Sequence, residues 1–363
     1  MIDETTLTKD WILAKSDKFK IKKRKADPEL IEKVTKALYL LENLIKADLK
    51  FIFKGGTSLL LLLDEMHRFS IDIDIIIESK KKEIDLSQIF STIVKNNSVF
   101  KYFEKDNRKE TNEIPKAHYK FYYESIIDKT DKYILLDILF EKNSYINLIY
   151  KNIDCRFVNV IEPEIKVCIP SIDCILGDKL TAYAPNTTGI QYGKGKELEI
   201  IKQLFDISIL FDQMENINIV SKTFIKMVKQ ELIYRGKHEK NSYKDVLDDI
   251  FETSWILSER GRIEKDIFKQ LQTGVKRIKN YIFSNNYIVE SAVNSASKAA
   301  YLSLLIKYSI TDVEKYDKSI DLRTYVIDHD KYKKLKTILK FDPEAYFYWF
   351  KSIEILKKHT DFK

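Results

Sequence analysis

Two aspartates one residue apart, Asp72 and Asp74, stand in the isoleucine-rich stretch SIDIDIII at 70–77. In an extended chain residues i and i+2 point to the same face, with Cα atoms about 7 Å apart. Two carboxylates so placed repel, and aspartate is a poor strand former. A hard divalent cation between them removes the conflict, because it takes oxygen ligands and completes its shell with water and substrate phosphate. A solvent-facing pair near a strand end is the plainer alternative. Just ahead lies Lys54-Gly55-Gly56-Thr57-Ser58. Glycine lets the backbone approach a ligand, and a strand feeding a helix start aims free N–H groups at an anion. Gly55, Gly56 and a hydroxyl of Thr57 or Ser58 thus form a candidate phosphate cradle, although Gly-Gly is often only a turn. A third carboxylate, Asp137, stands alone in the apolar run YILLDILF at 133–140. A charge there is costly unless it is paired, metal-bound or on a solvated face. If the two strands are neighbours, three carboxylates converge, and two cations held there activate a hydroxyl and stabilise a leaving pyrophosphate.

The elements that must position these groups are readable from periodicity. Asp27-Pro28 starts a helix whose Leu30, Val34, Leu38, Leu41 and Ile45 recur at helical spacing. FIFK at 51–54 reads as a short buried strand, Thr57–Leu63 as a helix begun by the glycines, and 70–77 as a strand. A helix is expected near 86–95, followed by a polar, charged loop to about 112. AHYKFYYESI at 117–126 and KYILLDILFE at 132–141 read as neighbouring strands joined by a polar hairpin turn, and Lys166–Ile169 as a further short strand. After Pro170 the pattern turns helical: Ser171–Tyr183, a polar loop APNTTGIQYGKGK, then Glu197–Phe211 and more helices. The expected organisation is an α/β domain over 1–169 and a helical domain over 170–363.

The 363 residues carry 44% hydrophobic and 32% charged side chains, as a globular chain does and a disordered one does not. No apolar run approaches the roughly twenty residues of a membrane helix, and the N-terminus lacks the apolar core of a secretory signal. Cys155, Cys168 and Cys174 make neither a disulfide framework nor a C-x-x-C pair, which fits a reducing, cytoplasmic setting. The five histidines show no metal-binding spacing. The net charge of +7 and the basic stretch KSDKFKIKKRK at 15–25 are compatible with a polyanion such as RNA, and equally with a solvated surface.

Taken jointly, the pattern resembles the nucleotidyltransferase superfamily of the DNA polymerase β type. Within it the chain is similar to the AbiEii/AbiGii toxins, which include the MenT-like toxins. Their signature, K-G-G-T-x-L then R-x-S-x-D-x-D, stands here as Lys54-Gly55-Gly56-Thr57-Ser58-Leu59 and Arg68-Phe69-Ser70-Ile71-Asp72-Ile73-Asp74. The resemblance extends to Asp178-Lys179-Leu180-Thr181-Ala182 and to Lys202-Gln203-Leu204-Phe205-Asp206, with Gln203 where the family often has an aspartate. It implies an α+β fold: a polymerase β-like mixed sheet with flanking helices, then a helical domain that completes the site and binds acceptor.

The resemblance also implies an enzyme. Asp72, Asp74 and Asp137 would hold Mg2+ or Mn2+, with Lys179 and Asp206 completing the catalytic set. Lys54, Gly55, Gly56, Thr57, Ser58, Arg68, Ser70 and Lys202 would bind the NTP. The implied acceptor is the 3′ end of tRNA, and the implied partner is a cognate antitoxin encoded nearby. Arg68 reads as a brace for a carboxylate and Ser70 as a residue that orients the turn. His67 is not needed as a base. The aromatic run Tyr346-Phe347-Tyr348-Trp349-Phe350 reads as core packing ahead of base stacking. Transfer to a small molecule or a protein side chain, and non-catalytic nucleotide binding on the same fold, are the competing expectations.

Overall fold

Asp27 and Pro28 begin a long helix in the computed structural model, which describes residues 1–21, 24–65, 67–78, 84–106, 114–282 and 286–359. The Asp27 side chain accepts from the Glu29 amide at 2.9 Å, and Pro28 takes the first helical position, where no amide hydrogen is needed. Ahead of it come helix α1 (Lys9–Lys18), which the periodicity did not reveal, and a short antiparallel pair, β1 (Lys20–Ile21) and β2 (Arg24–Lys25). The basic stretch 15–25 is therefore the end of α1 plus this pair, with 22 and 23 outside the described residues. The long helix, α2 (Pro28–Lys46), buries Ile31, Val34, Leu38 and Leu41 completely. Each such side chain contributes about 1.5–3 kcal/mol on leaving water.

Five strands form the central sheet in the order β3 (Ile52–Lys54), β4 (Ile73–Ile77), β7 (Asp131–Phe140), β6 (Lys116–Glu124) and β5 (Phe100–Lys105). The β4–β7 pair is parallel and the other three pairs are antiparallel, so the sheet is mixed. Helix α3 (Gly55–Leu62) links β3 to β4, and α4 (Leu86–Lys95) precedes β5. The segment after α4, expected as a polar loop, is instead strand β5 as far as Lys105, while 107–113 lie outside the described residues. Its charged Lys101, Glu104 and Lys105 are exposed on a sheet edge, where water can solvate them on a strand. A separate antiparallel pair, β8 (Leu148–Asn152) with β9 (Lys166–Pro170), completes the α/β part.

The rest is helical: α5 (Ile172–Ala182), α6 (Glu197–Gln213), α7 (Ile217–Tyr234), α8 (Tyr243–Ser258), α9 (Lys265–Ile278), α10 (Val289–Lys307) and α11 (Pro343–His359). Two compact units result: Met1–Ser171 with Tyr281–Asn285, and Ile172–Asn280 with Asn286–Lys363. In the helical unit α10 packs against α6, α8 and α11. Tyr346, Phe347, Tyr348 and Trp349 are buried, and Trp349 Nε1 donates to Ser258 Oγ at 3.1 Å, so those four aromatics build the core. The polar loop after α5 is tied down by one buried carboxylate on α8. Asp249 accepts from the Asn186 amide at 2.8 Å, the Thr187 amide at 2.9 Å and the Thr187 hydroxyl at 2.8 Å. Burial pushes the Asp249 carboxyl above its usual range, while these bonds pull the other way.

Candidate active site

Strand β3 ends at Lys54 and α3 begins with the next residue. That abrupt change needs glycine: Gly55 has φ of +79°, which side-chain-bearing residues rarely adopt. A Cβ on Gly55 would lie 2.2 Å from Asp74 Oδ2. A Cβ on Gly56 would lie 2.6 Å from Ser70 Oγ and 2.7 Å from Arg68 Nη2. The two glycines thus make room first for side chains of the chain's own R-x-S-x-D-x-D segment. The Asp74 carboxylate sits against the first residue of α3, where the helix's partial positive charge favours an anion. Lys54, at the N-cap position, provides no side-chain cap for that first turn.

The hydroxyls near the glycines serve the fold. Thr57 is fully buried; its Oγ1 donates to the Asp72 carbonyl at 2.6 Å and lies 3.1 Å from Ser70 Oγ. Ser58 Oγ donates to the Gly55 carbonyl at 2.8 Å. Arg68 is buried, its Nη1 donates to the Phe69 carbonyl at 2.9 Å, and the Phe69 amide donates to Tyr281 O at 2.7 Å. With the Asp72 carbonyl and the Phe69 amide bonded outside the sheet, residues 70–72 are fixed but not paired in it. The strand begins at Ile73 rather than at 70, and Asp72 stands exposed just ahead of it.

One row of backbone partners crosses four strands. Lys54 on β3 pairs with Asp74 on β4, Asp74 with Asp137 on β7, and Asp137 with His118 on β6. Directly opposed residues project to the same face, and all four are half-buried. His118 Nδ1 lies 2.6 Å from Asp137 Oδ1, so the ring N–H donates to the carboxylate. Lys54 Nζ lies 5.9 Å from the centre of the Tyr145 ring. Two adjacent carboxylates are therefore flanked by a lysine on one side and an imidazole on the other, which offsets the cost of opposing like charges. The chemistry-bearing residue missed in the sequence is His118. Counting back from Glu124 and forward from Asp131, the ends of the hairpin, meets at His118 and Asp137, but only once the turn is known.

The donor set suits a hard cation, since Asp72, Asp74 and Asp137 offer only oxygen. Among the described residues no group of three His, Cys, Asp or Glu side chains is gathered as a ready-made metal cage. Mg2+ takes much of its shell from water and phosphate and needs only one or two protein carboxylates, so these residues fit it. The three cysteines are free thiols.

In the helical unit the structure brings Lys179 and Asp206 together. Lys179 Nζ lies 2.8 Å from Asp206 Oδ2, with 8% and 1% of the two residues exposed. Lys202 Nζ pairs with Glu199 Oε1 at 3.1 Å one turn away on α6.

Residues 39–284, more than half of the chain, match the family described as the nucleotidyl transferase AbiEii toxin of type IV toxin–antitoxin systems. Among solved structures, JHP933 from Helicobacter pylori is 19% identical, with 77% of this chain and 91% of that one covered and a TM-score of 0.42. An antigenic nucleotidyltransferase-like protein from Paracoccidioides brasiliensis is 14% identical, with 60% and 95% covered and a TM-score of 0.37. Both scores are low, so these likenesses are partial. No curated protein matches the chain.

Proposed function

We propose, from the premise that this chain belongs to the AbiEii nucleotidyltransferase toxin family of type IV toxin–antitoxin systems, that it transfers a nucleoside monophosphate from an NTP to the 3′ end of tRNA. The observation that carries this reading is the row Lys54–Asp74–Asp137–His118, set beside the glycine start of α3. The first-turn N–H groups at Gly55–Thr57 receive the triphosphate. Lys54 adds a point positive charge beside Asp74. The acceptor 3′-oxygen attacks the α-phosphorus, the bond from that phosphorus to the α–β bridging oxygen breaks, and pyrophosphate leaves. The hydroxyl proton passes to the Asp137 side of the row, where His118 keeps the carboxylate oriented. Arg68, Ser70, Thr57 and Ser58 hold the loop that presents Asp72 and Asp74.

A divalent cation, Mg2+ or Mn2+, held by Asp72, Asp74 and Asp137 would neutralise phosphate charge and ease deprotonation of the hydroxyl. The proposed phosphate contact of Lys179 requires it to exchange Asp206 for an anionic ligand. Lys202 would contribute in the same way by leaving Glu199. A cognate antitoxin restrains the activity. No helix among the described residues is long and apolar enough to cross a membrane, and we place the protein in the cytoplasm because NTP and tRNA meet there.

The test is incubation with each labelled NTP in the presence of total tRNA, candidate small molecules and protein. Label on the tRNA 3′ end, lost in Asp72→Asn with Asp74→Asn, is expected. Label that reaches only a small molecule or a protein would contradict the RNA acceptor.

A further inference from the structure

The helical unit contains a cavity of about 550 Å3 whose wall is strongly basic. Four cations line it: Arg260 and Arg262 from the turn after α8, Lys276 from the last turn of α9, and Lys279 just beyond. The one carboxylate in the lining, Glu290, stands 3.9 Å from Arg260, and Glu259 stands 3.6 Å from Arg262. Among the described residues no carboxylate comes within ion-pair distance of Lys276 or Lys279. Basic residues at the end of α9 would by themselves be explained by the helix dipole. That does not explain why two arginines from another segment line the same cavity.

The chemistry of the wall defines the ligand. Arg260 is held in place, its guanidinium 4.6 Å from the centre of the Phe341 ring. Arg262, Lys276 and Lys279 are exposed. Three of the four charges thus face solvent at the mouth of the cavity. Ile288, which is exposed, and the half-buried Val289 add apolar surface beside them, suited to contact with a ribose. Several solvent-facing cations from two segments, two of them with no carboxylate within ion-pair distance among the described residues, suit the repeated phosphates of a phosphodiester chain. On the other side of α9, Arg277 reaches Glu197 of α6 at 3.6 Å, fixing the helix that presents the rim.

We infer that this cavity is a docking site for the backbone of the RNA acceptor. The inference rests on the reading of the acceptor as RNA, and it concerns binding, not transfer.

The experiment is fluorescence anisotropy of the full chain with labelled total tRNA and no NTP, over a series of salt concentrations. Lys276→Gln with Lys279→Gln is expected to weaken binding by roughly tenfold near physiological salt. It should also make the slope of log K against log salt shallower by about 1.4–1.8, two phosphate contacts' worth. Lys226→Gln with Lys229→Gln, two exposed lysines of α7, is the charge-matched control and should leave both quantities unchanged. Equal thermal melting of all forms shows that folding is intact, as expected for exposed side chains.

Unchanged RNA affinity and salt slope in the first variant would overturn the inference. So would no RNA binding by the wild type. Because the assay contains no NTP, its failure is separate from failure of the transfer reaction. A wild type that labels tRNA beside an unaffected double variant sinks only the docking site.

Discussion

Asp74 and Asp137 are register partners across the parallel β4–β7 pair, two carboxylates directly opposed on one face of the sheet. Opposed like charges cost stability, and the arrangement persists here with Lys54 and His118 as the outer neighbours of the same row. A sheet selected for stability alone would not place charges this way. The catalytic role proposed for the row would account for this placement.

His118 is expected to act by positioning Asp137. His118→Ala should lower kcat by about 10- to 100-fold, with KM for the NTP little changed. His118→Asn, whose amide nitrogen can replace Nδ1 as donor, should recover part of the loss. Steady-state kinetics on the three forms check this, and a KM effect without a kcat effect would contradict it.

Gly55→Ala meets two obstacles at once, a φ of +79° and a Cβ 2.2 Å from Asp74 Oδ2. A loss of about 1–2 kcal/mol is expected from the backbone conformation alone. Transfer should fall further than stability does, because the carboxylate must move. Urea unfolding read beside turnover separates the two effects.

The Lys179–Asp206 pair is buried on both sides, so removing Lys179 leaves the Asp206 carboxylate buried without this cation. Lys179→Met should cost about 3–5 kcal/mol. Lys179→Met with Asp206→Leu should regain most of that stability and remain inactive. Denaturation of the single and double variants tests the first part, and labelling tests the second.

Asp249 gives a pH signature. Its folded-state carboxyl lies above the usual 3.8, chiefly through burial, so the native state holds the proton more tightly than the unfolded chain. The stability this contributes is fully present below 3.8 and is lost as pH rises through the folded value. The advantage of wild type over Asp249→Asn should therefore shrink as pH rises above 3.8 in urea unfolding. An advantage that grows with pH would contradict this.

Much of this was readable from local pattern. The stripe of α2, the two long strands of the hairpin, and α4 follow directly from apolar spacing, and their order gives a strand-containing N-terminal part before a helical one, while the α+β class came with the family resemblance. Asp72 and Asp74 declared themselves by carrying charge inside an isoleucine run. What escaped was set by partners distant in sequence. Strand β5 carries exposed charges on a sheet edge and has little apolar alternation to betray it. The strand at 70–77 loses its first residues, where the Thr57 hydroxyl takes the Asp72 carbonyl that a sheet would use. His118 looks like any polar-face residue until the register sets it against Asp137. The Lys179–Asp206 contact joins two helices, and no spacing within either one foretells it.

The most direct test of the central claim is Asp74→Asn with Asp137→Asn, measured for both folding and labelling. Removing two opposed charges should leave thermal stability unchanged or raise it by up to about 1 kcal/mol, while transfer of labelled NMP to tRNA falls by at least about 10³-fold. A variant that unfolds at lower temperature and keeps its labelling activity would show that the row supports the fold and performs no chemistry.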